Sequence, residues 1–133
     1  MNIRPLELSL LPGHFAVCRL DPGASIPSWV LQGSFFSVTR TADELSIVCE
    51  KTLVPPGTRY EPNWRLLKVY GPFDFSQVGV LASLVGPLAE AGISLFTVST
   101  FDTDYLLVAS DNVEAAIAAL VKSGHRVSRS ERE

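Results

Sequence analysis

The stretch Ala89-Glu90-Ala91-Gly92-Ile93-Ser94-Leu95-Phe96-Thr97-Val98-Ser99-Thr100-Phe101-Asp102-Thr103-Asp104-Tyr105-Leu106-Leu107-Val108 decides the fold. Gly92 ends a helix, Ile93–Thr100 alternates as a strand, an acidic turn follows, and Tyr105–Ala109 forms the returning strand. Upstream, Leu81, Leu84, Val85 and Leu88 make an apolar stripe on a helix that Asp74 and Gln77 are placed to cap. Pro87 lacks an N–H and predicts a kink or a break near Gly86. Downstream, Asp111 and Glu114 predict a second cap, before a helix through Val113, Ile117, Leu120 and Val121 that stops at Gly124. With strands at Arg65–Tyr70 and Arg126–Ser128, the order from Arg65 onward is βαββαβ. That order predicts a four-stranded antiparallel sheet with both helices on one face, the ferredoxin-like plan.

The N-terminal half reads as a reduced copy. Further strands are expected at Leu6–Leu11, Phe15–Leu20, Phe35–Arg40 and Glu44–Cys49, with a short helix around Ser25–Gln32. Laying Phe36–Val48 on Phe96–Val108 matches the two hairpins at an offset of 60 without a gap. After Cys49 the first half has no second helix, only Lys51–Pro62 with three prolines, so the extra N-terminal strand is expected to fill out its sheet. The fold class is therefore α+β, with two tandem ferredoxin-like modules at 1–62 (reduced) and 63–128 (complete) and a disordered tail at 129–133. Both parities of Ile93–Thr100 are largely apolar, so the sheet face away from the helices needs a cover, from the first module or from a homodimer partner.

Composition narrows the function. The chain has 133 residues, 47% hydrophobic and 19% charged, with a formal net charge of -3. It lacks the Lys/Arg cluster that a phosphate backbone requires, which argues against nucleic acid as a partner. No run approaches the roughly 20 apolar residues of a membrane span. The first residues, with Glu7 interrupting them, do not read as a signal peptide. Cys18 and Cys49 sit inside apparent strands and read as buried, reduced core thiols, which suits the cytoplasm.

Four groups of residues carry a family resemblance. They are Phe35-Phe36-Ser37-Val38-Thr39-Arg40-Thr41 with Ile47-Val48-Cys49, then Trp64–Val69, Gly71-Pro72-Phe73-Asp74-Phe75-Ser76, and Ser99-Thr100-Phe101-Asp102-Thr103-Asp104. With these the chain resembles small bacterial ACT-domain proteins and aspartate kinase regulatory domains. Its tandem arrangement is similar to half of the CASTOR-type arginine sensors of animal cells. The resemblance implies a non-catalytic sensor of a small amino-acid-like ligand, bound at a module or subunit interface. It places Asp74, Phe75, Ser76 and Gln77 on one side of the ligand and Thr100, Phe101, Thr103 and Asp104 on the other. The chemistry is compatible, since free N–H groups at a helix start suit a carboxylate and Asp104 or Asp102 suits an ammonium. Phe75 and Phe101 would supply a wall.

Plainer roles exist for the same residues. Asp102-Thr103 is a favourable turn pair, Asp74 and Ser76 serve equally well as caps, and Phe75 suits a core staple. Where the arginine sensors have an aromatic residue before the matching aspartate this chain has Thr103, which leaves room for a ligand other than arginine. The Asp-Thr-Asp triplet lacks a third metal ligand or a Gly-rich phosphate loop, so no enzyme activity and no cofactor are expected. His14, His125, Trp29 and Trp64 read as structural. A protein–protein interaction module with a vestigial pocket is the alternative function, and an unidentified protein partner is compatible with either reading.

Overall fold

The computed structural model describes residues 5–70 and 79–129. Eight strands and two α-helices follow in the order β1 (Glu7–Leu10), β2 (Phe15–Leu20), β3 (Ser37–Arg40), β4 (Leu45–Glu50), β5 (Tyr60–Val69), α1 (Val80–Glu90), β6 (Leu95–Ser99), β7 (Asp104–Ala109), α2 (Val113–Lys122) and β8 (Arg126–Arg129). They divide into two compact units, Gly13–Trp64 and a second one made of the residues up to Pro12 and those from Arg65 onward. The architecture is the α+β one that the sequence predicts, with two ACT-like sheets of related order.

In the unit Gly13–Trp64 the sheet order is β3-β4-β2-β5, and β2 is antiparallel to both β4 and the first part of β5. The expected short helix is a 3-10 turn at Ser28–Gln32 whose Val30 is fully buried among Ala16, Cys18, Leu45, Ile47 and Cys49. Strand β5 begins five residues earlier than the sequence suggests and runs through Pro62. It does so by bulging, because Phe15 pairs with Trp64 while Val17 pairs with Glu61. The proline that cannot donate to a ladder sits in the bulge, and Asn63 beside it takes φ 71°. Lys51 Nζ holds the Asn63 side-chain oxygen at 2.8 Å.

The second unit has the order β8-β1-β5-β7-β6. Strand β1 is expected from the sequence to fill out the sheet of the first half, but its partners lie in the second unit. It pairs antiparallel with β5 and parallel with β8, so it is inserted between the first and last strands of the βαββαβ plan. The start of β5 takes the equivalent place beside β2. Both helices cover one face, where Leu84, Leu88, Val113, Ala116 and Leu120 meet residues of β1, β5 and β7. On the opposite parity Leu66 and Leu107 are also fully buried within the single chain, so the centre of that face needs no second subunit to leave water. Ser9, only 2% exposed, bonds Tyr70 Oη at 2.6 Å and Ser128 Oγ at 3.0 Å. No helix among the described residues is long and apolar enough to cross a membrane.

Both helices end as expected. Gly92 and Gly124 have φ 76° and 101°, and Ile93 N–H and His125 N–H reach back to Leu88 O and Leu120 O in Schellman closures. Their starts differ from expectation. Helix α1 begins at Val80 with Gly79 as N-cap, and Asp74 and Gln77 lie outside the described residues. Helix α2 follows a 3-10 turn at Ser110–Asn112, its N-cap is Asn112, and no side chain caps it. The predicted Asp111–Glu114 capping pair is therefore not formed, and Glu114 instead binds Arg129 at 2.5 Å. Arg129 is the last residue of β8, paired with Leu10, and the rest of the expected tail, 130–133, lies outside the described residues.

Pro87 neither breaks α1 nor leaves an orphan. The carbonyl it frees is that of Ser83, one turn back, and His125 Nε2 lies 3.0 Å from that oxygen. His125 Nδ1 accepts the Leu6 N–H at 3.1 Å, which fixes the neutral tautomer with its proton on Nε2. His125 is 6% exposed and fully used. His14 is exposed.

Cys18 and Cys49 are free and buried, but they are not far apart. Cys18 faces Ile47 and Ala16 faces Cys49 in the β2–β4 ladder, so the two thiols are diagonal neighbours and hydrogen-bond each other. The hydrogen bond from Cys49 lowers Cys18, whereas the bond to Cys18, burial and the charge of Glu50 push Cys49 far up. Because both thiols are buried, iodoacetamide at pH 8 should leave them intact in the folded chain and alkylate both in urea, as read by intact mass. Labelling of the native protein would contradict this packing.

Candidate functional site

Four of the eight sequence-predicted site residues, Thr100, Phe101, Thr103 and Asp104, lie together on the β6–β7 hairpin. Asp74, Phe75, Ser76 and Gln77 lie outside the described residues. The hairpin pairs Leu95 with Val108 through to Ser99 with Asp104, so the loop is Thr100-Phe101-Asp102-Thr103. Thr100 N–H and its hydroxyl both donate to Thr103 O, at 2.8 and 3.0 Å, and Thr103 N–H returns to Thr100 Oγ1 at 3.1 Å. The Thr100 side chain therefore closes the turn, leaving it little capacity for a ligand.

The same turn recurs in the first unit. Arg40 pairs with Leu45, and Thr41 N–H donates to Glu44 O at 2.9 Å while Glu44 N–H returns to Thr41 Oγ1 at 3.2 Å. Thr41 thus corresponds to Thr100 and Asp43 to Asp102, an offset of 59 in place of the 60 read from the apolar pattern. Burial agrees, because Ile47-Val48-Cys49 and Leu106-Leu107-Val108 are the fully buried triplets of β4 and β7.

Asp104 is half-buried, and Ser99 Oγ donates to its Oδ1 at 2.6 Å. Ser99 is the site neighbour that sequence reading missed, although the hairpin register places it directly opposite. Oδ2 of Asp104 has no partner among the described residues. No cation stands within ion-pair distance of Asp102 or Asp104 there, since the ion pairs join Arg126 to Glu7 and Arg129 to Glu114. Phe101 is 77% exposed. The hairpin end therefore presents two carboxylates and an aromatic ring, a set suited to an ammonium or guanidinium group with an apolar stem. The described residues contain no group of three His, Cys, Asp or Glu able to hold a metal.

Comparison with known proteins agrees with this geometry. The ACT domain family matches residues 59–122, from the start of β5 to the end of α2, and a family of N-terminal domains matches 13–57. The human cytosolic arginine sensor for mTORC1, subunit 1, is 40% identical over 58 residues, 43% of this chain and 18% of that protein. The chain therefore spans under a fifth of the length of these curated relatives. A crystallised protein of Agobacterium tumefaciens is 39% identical with a TM-score of 0.92, covering 98% of both chains. The regulatory subunit of aspartate kinase from Thermus thermophilus, in its ligand-free form, shares the fold at 12% identity, with a TM-score of 0.59 over 84% of this chain and 91% of that one. With the β6–β7 hairpin, the two helices and the family match falling on the same residues, the segment 59–122 of this chain is an ACT domain.

Proposed function

We propose that the chain is a non-catalytic, cytoplasmic regulatory protein that binds a small amino-acid-like molecule at the β6–β7 hairpin, with a second copy of the chain closing the site. The observation that carries this reading is Asp104, half-buried on the ACT hairpin and lacking any cation among the described residues. Oδ2 of Asp104 receives the ligand's ammonium, and Phe101 covers its side chain. Asp74, Phe75, Ser76 and Gln77, which lie outside the described residues, supply the opposite side in this reading. The name of the arginine sensor supports an amino acid as the ligand class, and Thr103 favours a ligand other than arginine. Binding stabilises one arrangement of the two copies over another, and a partner protein reads that arrangement.

A thermal-shift screen against the twenty amino acids tests the reading. A ligand at about 100 times its dissociation constant should add about 2.7 kcal/mol of stability, several degrees in Tm. Asp104→Ala should abolish that shift without lowering the Tm of the free protein. A shift that survives Asp104→Ala removes the ligand from this hairpin. No shift from any amino acid favours the interaction module with a vestigial pocket.

A further inference from the structure

We propose that the unit Gly13–Trp64 holds a second ligand site, independent of the hairpin, for a small molecule that carries a carboxylate or phosphate on a flat apolar group. A cavity of about 500 Å3 opens in this unit between Arg19, Arg59, Asp21, Trp29 and Thr58, within the size range of small-molecule sites, roughly 300–1,000 Å3. Arg19 and Arg59 also line a smaller hollow of about 220 Å3.

The two arginines are neighbours by construction, because Arg19 N–H donates to Arg59 O at 3.0 Å. Arg19 spends one nitrogen on the neutral carbonyl of Asp43 at 2.9 Å. The Arg59 guanidinium has no partner among the described residues, and neither arginine forms an ion pair there. Both side chains line the same cavity, and a guanidinium group pairs with the planar face of an oxyanion through charge-assisted hydrogen bonds. Trp29 is half-buried, with part of its ring on the core of Ala16, Val30 and Ile47 and part lining the cavity. It offers an aromatic wall next to the charge. Asp21, exposed on the rim, suits an amino group on the same ligand.

The walls are fixed before any ligand arrives. Arg40 clamps the 21–24 loop by donating to Pro22 O and, at 2.7 Å, to Ala24 O, and Ala24 N–H closes on Asp21 O at 3.0 Å. The opposite wall is the turn Pro55-Pro56-Gly57-Thr58, where Gly57 takes φ 89° and Thr58 N–H reaches Pro55 O. This is the type II pattern, with proline and glycine at its two central positions. The backbone of both walls therefore has little entropy left to lose on binding, and the ordering cost falls on the Arg59 side chain.

The test uses the 15N-labelled full chain and follows the indole N–H resonance of Trp29, assigned by its disappearance in Trp29→Phe. The probes are phenylacetate, phenyl phosphate and the neutral 2-phenylethanol. Phenylacetate, phenyl phosphate or both should move the Trp29 resonance saturably, and whichever binds more tightly identifies the oxyanion. 2-Phenylethanol should leave it in place. Arg59 is exposed and its side chain makes no hydrogen bond or ion pair among the described residues, so in Arg59→Gln the Tm should hold while binding weakens about tenfold or more; Arg59→Lys should recover part of it. Asp104→Ala should not alter the titration, which separates this site from the hairpin. No movement with either anion, equal movement with 2-phenylethanol, or unchanged binding in Arg59→Gln would each overturn the proposal.

Discussion

Replacing His125 by alanine should destabilise the chain by about 3 kcal/mol, because two buried backbone groups lose their partners at once, and lower its Tm by about 10 °C. Leu6 N–H loses the acceptor that anchors the approach to β1, and Ser83 O loses the donor that replaces the amide proton Pro87 lacks. At 6% exposure the site gives water little access to either. The argument makes a sharper demand. In Pro87→Ala the new amide at position 87 can satisfy Ser83 O, so removing His125 should cost about 1 kcal/mol less there than in the natural sequence. A double-mutant cycle by urea denaturation checks this. Equal costs in the two backgrounds would mean that His125 matters through packing and Leu6 alone.

The sequence readily shows that Pro87 frees a carbonyl, yet not which group answers it, since His125 lies 42 residues away from Ser83. The same contrast runs through the fold. Strands β2 and β7 and the glycine helix ends are legible because alternation and positive φ are local properties. The destination of β1 is not, because its parallel pairing with β8 joins Glu7 to Arg126 across the chain. The apolar pattern gives a hairpin offset of 60 where the turns give 59, for a physical reason. Leu106, Leu107 and Val108 are all buried, so both parities of β7 are apolar and hydropathy alone cannot set the register. The better marker is chemical, because Thr41-Ala42-Asp43 and Thr100-Phe101-Asp102 build the same turn from the same threonine bonds. The early start of β5 is hidden in the sequence because proline normally bars a ladder, and the bulge at Pro62 and Asn63 admits it. At the site, the hairpin residues were legible through the family resemblance. The opposing Ser99 was not, because its role depends on register.

At the corrected offset Ile47 and Leu106 are equivalent positions, each fully buried in the core of its own unit. Ile47→Ala and Leu106→Ala should each cost about 2–5 kcal/mol, and each should shift unfolding of the whole chain and not of one unit. The reason is β5. Tyr60–Trp64 supply the strand beside β2, while Leu67–Val69 supply the strand beside β1, so a single ten-residue strand serves both sheets. Only Arg65 and Leu66 separate the two stretches, so fraying of β5 in one unit runs directly into the strand of the other. The molecule carries its own pair of reporters. Trp29 and Trp64 both lie in Gly13–Trp64, and both α-helices lie in the other unit, so tryptophan fluorescence and circular dichroism at the helical minimum follow the two units separately. The two curves should coincide in urea for the natural chain and for both variants. Separation of the curves in Leu106→Ala, with the helices melting first, would mean that the bulge at Asn63 uncouples the two halves of β5. Ligand binding in one unit would then leave the stability of the other unchanged. Coincident curves mean the opposite: because the strand is shared, stabilisation at the hairpin or at the arginine cavity raises the unfolding midpoint of the entire chain.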